Sequence, residues 1–154
     1  MPDPLKGMGR ALDIGCGSGK STSTLIDMGY EVSGTDISRE AVSICTDRFG
    51  SGMFLEGSVL SLPYPDSSFD YAVAVHVLEH ITDDDMHLAV SEIRRILKPG
   101  GYLFIRDFAP GDMREGSRAD SDIVYIHRSP EDILAFFDGF SAVSCETVES
   151  RTRF

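Results

Sequence analysis

Three closely spaced glycines constrain the fold of this chain more than any other feature. They are Gly15, Gly17 and Gly19, and they follow a short segment that begins with the apolar residues Ala11 and Leu12. Glycine allows tight turns and close backbone approaches that a Cβ atom forbids. The spacing therefore predicts a strand that turns sharply into a helix, with backbone N–H groups presented at the turn.

An acidic residue ends the second apolar segment. This residue is Asp36, and its carboxylate can accept hydrogen bonds from two adjacent hydroxyl groups. In a parallel sheet, an acid at this point lies within reach of the first turn between strand and helix. Together, Asp36 and the glycine turn predict a site for a nucleotide-type cofactor whose ribose Asp36 would hold.

Composition limits the class of protein. The 154 residues, 42% of them hydrophobic, can bury one core, so we predict a single domain over residues 1–154. A formal net charge of −11 repels nucleic acids and anionic membranes. No apolar run approaches the roughly 18 residues of a membrane span, and the first residues lack the apolar segment of a signal peptide. The chain is expected to interact with neither a membrane nor, in isolation, nucleic acid.

Cysteine usage favours a cytoplasmic location. Cys16, Cys45 and Cys145 are odd in number and lack the spacing of zinc ligands or of a disulfide framework. We therefore predict free thiols in a reducing compartment and no metal site.

Hydrophobic periodicity predicts alternating strands and helices, which is typical of a parallel sheet with helices on its faces. The predicted strands are Arg10 to Ile14, Glu31 to Asp36, Met53 to Glu56, Tyr71 to Val75, Tyr102 to Arg106 and Ser141 to Val148. The predicted helices run from Lys20 to Met28, from the Ser38 cap to Phe49, from the Thr82 cap to Leu97, and from the Ser129 cap to about Asp138. The segment from Asp107 to Arg128 shows no period and is expected to form a long loop over an active site.

Five motifs together resemble the class I S-adenosylmethionine-dependent methyltransferases of the small seven-stranded, type 11-like group. The motifs are Leu12 to Gly19, Gly34 to Ser38, Leu62 to Asp70, Val77 to Ile81 and Leu97 to Gly101. The resemblance covers nearly the whole chain. It implies a three-layer, Rossmann-like, doubly wound and mostly parallel sheet of six or seven strands. The chain begins directly at the first strand and ends at Phe154, so whether the C-terminal hairpin is complete is left open.

The resemblance implies S-adenosylmethionine as cofactor, with S-adenosylhomocysteine as product. It assigns the glycine turn to the methionine part, Asp36 to the ribose, Ile37 to the adenine and His76 to the pocket floor. Ser58, followed by Val59, replaces an acid that contacts the adenine in many members. For two residues we also consider a structural role. Asp13 would hold the turn by hydrogen bonds to its backbone, and Cys16 would be a small residue that fits the tight turn. The predicted cofactor contacts are Asp13, Gly15, Cys16, Gly17, Gly19, Asp36, Ile37, Ser58, Val59 and His76.

The resemblance further implies methyl transfer, for which we predict a small-molecule acceptor. Four polar residues follow the fourth and fifth strands, where α/β sheets bind ligands, and are candidate catalytic residues: His76, Glu79, His80 and Asp107. Tyr125, His127 and Arg128 either close the acceptor side or pack the loop. Alternatives are a tRNA or protein acceptor, or a catalytically silent scaffold that binds the cofactor within a homodimer or for a partner subunit.

Three other sites fit the same residues less well. A phosphate-binding P-loop that ends at Lys20 would require glycine where Ile14 stands. A dinucleotide-binding GxGxxG motif would require glycine at Lys20 itself. The HxxEH pattern from His76 to His80 matches a zinc-protease motif, but it continues a buried strand instead of lying within a helix.

Overall fold

The computed structural model describes residues 1–50, 53–112 and 124–148. Within these ranges the chain alternates strands and helices as predicted. The elements are β1 (Arg10–Ile14), α1 (Lys20–Met28), β2 (Glu31–Asp36), α2 (Arg39–Phe49), β3 (Phe54–Glu56), β4 (Phe69–Val75), a 3₁₀ turn (Leu78–His80), α3 (Asp83–Ile96), β5 (Leu97–Arg106) and α4 (Pro130–Phe136). None of these helices is both long and apolar enough to cross a membrane.

The five strands form one parallel sheet in the order β3-β2-β1-β4-β5. β1 is the central strand, with Ala11 paired to Val32 on one side and to Tyr71 on the other. The order of the strands reverses between β1 and β4, and ligands of such sheets bind beyond the carboxyl ends of the strands at this point. The doubly wound, Rossmann-like class is thus confirmed.

Hydrophobic residues on both faces of the sheet form the core. Ile93 of α3 belongs to one buried cluster with Phe69 and Ala72, whereas Leu25 of α1 belongs to a second cluster with Val73. Since β4 is covered on both faces, it contains apolar residues throughout, as expected for a central parallel strand.

Side-chain caps define the starts of three helices where the sequence predicts them. Ser38 Oγ accepts the N–H of Ala41, and Thr82 Oγ1 accepts the N–H of Asp85. Ser129 forms a reciprocal capping box with Asp132. These local hydrogen bonds satisfy N–H groups that the first helical turn leaves free, which is why short motifs predict the boundaries well.

The start of β5 differs from the prediction. The segment Lys98 to Gly101 was expected to separate α3 from a strand that begins at Tyr102. Instead, Leu97 already pairs with Phe69, and the next pair is Tyr102 with Tyr71, so the intervening residues form a bulge. Gly100 adopts a positive φ of 78° in this bulge. Lys98 anchors it, because its Nζ lies 2.8 Å from Asp70 Oδ1.

The predicted last strand, Ser141 to Val148, is wrong. Residues 141–148 are exposed and form no strand. An extended segment becomes a strand only when it pairs with a sheet edge, and within the described ranges these residues have no such pairing. The sheet described therefore has five strands, not six or seven. Residues 149–154, and residues 113–123 of the predicted long loop, lie outside the described ranges.

Candidate functional site

The glycine turn is closed by hydrogen bonds to β2. The N–H groups of Gly15 and Cys16 both donate to the carbonyl of Thr35, at 2.7 and 2.9 Å. Gly15 has a φ of +73°, and a Cβ atom there would lie 2.5 Å from Cγ2 of Val77. Gly17 differs, because a Cβ atom at this position would meet nothing closer than the carbonyl oxygen of Gly15, at 4.0 Å. Gly15 is therefore required by packing, whereas Gly17 leaves open space above the turn.

Asp36 lies beside this turn, as the sequence predicts. Its Oδ2 accepts the N–H of Gly17 and its Oδ1 accepts the N–H of Ser38, each at 2.9 Å. The two bonds hold the carboxylate at the end of β2. Each oxygen has a further lone pair, so the carboxylate can also accept hydrogen bonds from two hydroxyl groups.

Ile37, the residue after Asp36, lines an open groove of about 490 Å³ together with Glu56, Gly57 and Ser58. The side chain of Ile37 is 76% exposed although it is large and apolar. A flat apolar ring in the groove would cover it. Val59, in contrast, is buried in the core, so its side chain does not line this groove.

Asp13 and Cys16 lie beneath the turn. Asp13 is only 1% exposed, and its Oδ2 accepts the hydroxyl of Thr22 at 2.6 Å. Burial raises the pKa of Asp13 to about 6, while the Thr22 hydrogen bond acts in the opposite direction. Burial also raises the pKa of the Cys16 thiol, which packs near Cys45. The positions of the two residues support the structural roles considered for them, Asp13 as the acid that holds the turn and Cys16 as the small residue that fits it. A protonated Cys16 is also a poor nucleophile.

The candidate catalytic residues lie together at the carboxyl ends of β4 and β5. One potential ligand atom from each of His76, Glu79 and Asp107 falls within 4.8 Å of the others, and we call these three residues the acidic triad. His76 has a φ of +58°, which is uncommon for a residue other than glycine. Its N–H donates to the carbonyl of Arg106 at 2.7 Å, so the ends of the two strands are tied together.

Glu79 occupies the centre of the acidic triad. Its side chain is 1% exposed, and its Oε2 lies 3.4 Å from Nδ1 of His76. The N–H of Phe108 donates to the same oxygen at 2.9 Å. The ring of Phe108 also stacks on His76, with centroids 4.2 Å apart. Phe108 therefore orients both Glu79 and His76, a role that its sequence position does not indicate.

Asp107 has a buried oxygen, Oδ1, that makes no hydrogen bond to the described residues. Burial, and then the neighbouring charge of Glu79, raise the pKa of Asp107 to about 7. His80 lies at the rim of the group, with Nε2 3.7 Å from Oε1 of Glu79. Its Nδ1 is 3.0 Å from the carbonyl of Val124, and this contact requires the proton on Nδ1.

Comparison with known proteins identifies the family. Residues 12–105 match a family model described as a methyltransferase domain. The chain belongs to this methyltransferase family. In sequence, this chain is 36% identical over 103 residues to an O-methyltransferase of Penicillium expansum, and the match covers 62% of this chain and 37% of that protein. It is 34% identical over 128 residues to 27-O-demethylrifamycin SV methyltransferase of Amycolatopsis mediterranei, which covers 79% of this chain and 46% of that protein.

The fold of a solved structure agrees with this family assignment. A SAM-dependent methyltransferase from Methanosarcina mazei superposes with a TM-score of 0.74 at 25% identity, covering 86% of this chain and 78% of that one. The chain spans less than half the length of the two curated relatives. Family and fold together imply S-adenosylmethionine as its cofactor.

The residues around the turn fit this cofactor. The open space above Gly17 would admit the methionine part, and the exposed side chain of Ile37 offers an apolar surface to a base. Between them, the carboxylate of Asp36 can accept ribose hydroxyl groups. Cofactor contacts by the individual predicted residues remain predictions.

The three residues at the end of the predicted long loop differ in their contacts. Arg128 is buried and donates to the carbonyls of Leu78 and Ile81 and to Asp83, which supports the loop-packing alternative for this side chain. His127 is different, since both of its ring nitrogens are buried and lack partners among the described residues. Tyr125 packs edge-on against His80, with centroids 4.8 Å apart.

Proposed function

We propose that this methyltransferase transfers a methyl group from S-adenosylmethionine to a hydroxyl oxygen of a small-molecule acceptor. The observation that carries the proposal is the position of the acidic triad next to the glycine turn. Val77, which follows His76, lies so close to Gly15 that a Cβ atom there would be 2.5 Å away. An acceptor held at the triad would thus lie beside the proposed cofactor site.

The bound cofactor supplies an electrophilic methyl group on a sulfonium. Transfer of this group is an in-line displacement, so the main task of the chain is to align the acceptor and exclude water. A hydroxyl acceptor must also lose its proton. The side chains of His76, Glu79, His80 and Asp107 are proton-accepting groups at the ends of β4 and β5, and we propose that they receive it.

The choice of a small-molecule acceptor rests on charge and on the relatives. The net charge of −11 disfavours a nucleic-acid acceptor. The two curated relatives are named as methyltransferases acting on oxygen. We further propose that residues 1–154 act as a single domain. A tRNA acceptor, a protein acceptor or a silent scaffold would appear as distinct outcomes of the tests below.

Calorimetric titration tests the cofactor first. The chain is titrated in parallel with S-adenosylmethionine, S-adenosylhomocysteine and NAD, and the first two are expected to bind while NAD does not. Binding of NAD alone would overturn the proposal, and absence of all binding would favour a domain that needs a partner.

Turnover tests the acceptor. The chain is incubated with cofactor labelled at the methyl group and with separate pools of phenols and other hydroxyl compounds, bulk tRNA, and unfolded protein. Label in a hydroxyl compound is expected. Label only in tRNA or protein would refute the small-molecule choice, and cofactor binding without label in any pool would favour the scaffold.

A further inference from the structure

Five aromatic rings form a row along the carboxyl ends of β4 and β5. The centroids of successive rings lie between 4.2 and 6.3 Å apart, which is typical of stacked or edge-on pairs. The rings come from three separate parts of the chain: the end of β4 with its 3₁₀ turn, the residues after β5, and the end of the predicted long loop. In order along the row they are His80, Tyr125, His127, Phe108 and His76, and we call them the aromatic row.

Main-chain contacts fix the part of the row that comes from the predicted loop. The N–H of Ile126 donates to the carbonyl of Glu79 at 2.7 Å. The carbonyl of Val124 lies 3.0 Å from Nδ1 of His80. Tyr125, between these two anchored residues, is thereby held against the 3₁₀ turn. A surface that is ordered before a ligand arrives loses less entropy when the ligand binds.

The aromatic row is partly open to solvent. The side chains of His76 and His80 are 36% and 35% exposed, and the other three residues of the row are partly buried. Both ring nitrogens of His127 are closed to water, so a ligand at the surface meets no hydrogen-bonding atom of that ring. The middle of the row therefore offers an apolar aromatic surface. A flat aromatic ring is the group that stacks best on such a surface.

One end of the aromatic row lies beside the proposed cofactor site. His76 is followed by Val77, whose side chain would lie 2.5 Å from a Cβ atom at Gly15 in the glycine turn. Nδ1 of His76 also lies 3.4 Å from Oε2 of Glu79. A ring stacked on this end of the row would thus hold a substituent close to both the turn and the acidic triad.

The proton-accepting groups favour the same kind of ligand. A phenol loses its proton with a pKa of about 10, as the tyrosine side chain does. An aliphatic hydroxyl group holds its proton far more tightly. Imidazole and carboxylate groups such as those of His76 and Asp107 therefore take a proton from a phenol more readily than from an aliphatic alcohol.

We propose that the aromatic row makes this site selective for acceptors whose hydroxyl group is attached to an aromatic ring. The inference rests on the methyl transfer proposed above, because it names the class of acceptor for that reaction. The phenol oxygen forms a bond to the methyl carbon while the carbon–sulfur bond breaks and leaves its electron pair on sulfur. The hydroxyl proton passes to one of the proton-accepting side chains at the ends of β4 and β5.

Matched pairs of ring compounds test this selectivity. Phenol, catechol and 2-naphthol are compared with cyclohexanol, cyclohexane-1,2-diol and decahydro-2-naphthol, which carry the same hydroxyl groups on saturated rings. Their binding to the full chain is measured by nuclear magnetic resonance in the presence of S-adenosylhomocysteine. Each contact between rings strengthens binding by about 2- to 12-fold beyond the area that it buries, so two contacts should favour the aromatic member by about fivefold or more. Equal binding within the pairs, or no binding of any compound, would overturn the proposal.

Two variants locate the selectivity on the row. Tyr125→Leu keeps apolar bulk but removes a ring. Phe108→Leu does the same and retains the main-chain N–H that donates to Glu79. Each variant should lose about 2- to 12-fold in affinity for the aromatic compounds and nothing for the saturated ones. Equal losses for both members of a pair would mean that the rings only support the fold, and would overturn the proposal.

Tyr102→Leu is the matched control for Tyr125→Leu. Tyr102 is 37% exposed and lies away from the carboxyl end of β5, so this variant should keep the selectivity of the parent chain. Melting temperature and affinity for S-adenosylhomocysteine are measured for all three variants to verify that they fold.

Turnover separates this inference from the proposed function. The same six compounds are offered with cofactor labelled at the methyl group, and label is expected in the aromatic compounds only. Equal labelling of the saturated compounds would keep methyl transfer to hydroxyl groups and overturn the selectivity. Selective binding of the aromatic compounds without any labelling would support the ring preference and contradict the proposed function.

Discussion

The carboxylate of Asp36 accepts a hydrogen bond from the N–H of Gly17 at 2.9 Å, which links the end of β2 to the glycine turn that follows β1. The two residues are 19 positions apart in sequence. The parallel pairing of β1 with β2 brings them together, because it aligns the carboxyl ends of both strands. One side chain thus both holds the turn and faces the proposed ribose position.

Replacement of Asp36 tests this double role. Asp36→Ala removes the acceptor for ribose hydroxyl groups and also releases the N–H of Gly17. We expect cofactor binding to weaken by about 1.5 to 3 kcal/mol, the usual range for hydrogen bonds to a charged group, or about 10- to 150-fold in Kd. Calorimetric titration with S-adenosylhomocysteine measures the change.

The control for charge is Asp47→Ala on the exposed face of α2. This variant makes the same change of residue away from the carboxyl ends of the strands and should bind the cofactor like the parent chain. Unchanged affinity in Asp36→Ala would mean that the ribose is held elsewhere.

Gly17→Ala separates backbone strain from occupation of the cofactor space. Gly17 has a φ of +48°, and the added methyl group would meet no protein atom closer than 4.0 Å. The positive φ should cost roughly 1 to 2 kcal/mol of folding stability. Because the methyl group projects into the space above the turn, cofactor affinity should fall by an order of magnitude or more. Urea unfolding and calorimetry measure the two effects.

Gly100→Ala is the matched control. Gly100 has a φ of +78°, and a Cβ atom there would meet nothing within 4 Å. It lies in the bulge of β5, far along the chain from the glycine turn. Its loss of stability should resemble that of Gly17→Ala, but its affinity for the cofactor should not change. Equal affinities in the two variants would place the cofactor away from Gly17.

The sequence predicts the cofactor side of the site better than the acceptor side. The glycine turn and Asp36 depend on local spacing and on adjacent strands, both of which are visible in the chain. The contact between Glu79 and Phe108 depends instead on how the ends of β4 and β5 meet. No periodicity shows that a phenylalanine N–H will bind a buried glutamate.

Two further outcomes have physical causes outside local sequence. The sequence leaves two roles open for Arg128, closing the acceptor side or packing the loop, and its hydrogen bonds to the carbonyls of Leu78 and Ile81 support packing. The segment from Ser141 to Val148 has the pattern of a strand, yet in the described ranges it pairs with neither edge of the sheet. Partners that are distant in sequence decide both outcomes.

Arg128→Lys tests whether this residue is structural. The guanidinium donates to two carbonyls and, through Nε and Nη2, to Asp83 at 3.0 and 2.6 Å. A lysine ammonium cannot reproduce this fork. We expect a loss of about 1.5 to 3 kcal/mol in the free energy of unfolding, measured with urea.

Arg39→Lys is the control. Arg39 is exposed, and its ion pair with Glu56 is long, with 3.8 Å between Nε of Arg39 and Oε2 of Glu56. This exchange should leave stability unchanged. If Arg128→Lys keeps full stability and loses turnover instead, Arg128 contacts the acceptor, and the loop-packing alternative is wrong.

The buried carboxyl of Asp13 predicts a specific dependence of stability on pH. Its pKa is raised to about 6 in the folded chain, chiefly by burial, from the usual 3.8 of an aspartate side chain. Because the folded chain holds the proton more tightly, the stabilisation from this group is complete below pH 3.8 and is lost as pH rises through 6. A shift of this size corresponds to about 3 kcal/mol.

Asp13→Asn should remove this dependence. Asparagine is neutral at every pH and can still accept the hydroxyl hydrogen bond of Thr22. Urea unfolding at intervals from pH 4 to pH 8 should show the variant gaining about 2.5 kcal/mol relative to the parent chain across that range, because a small part of the stabilisation is already lost at pH 4. Asp27→Asn, at an exposed position of α1, should run parallel to the parent chain. A parallel course for Asp13→Asn as well would show that Asp13 ionises in the folded chain at its usual pKa, with its hydrogen bonds offsetting the cost of burial.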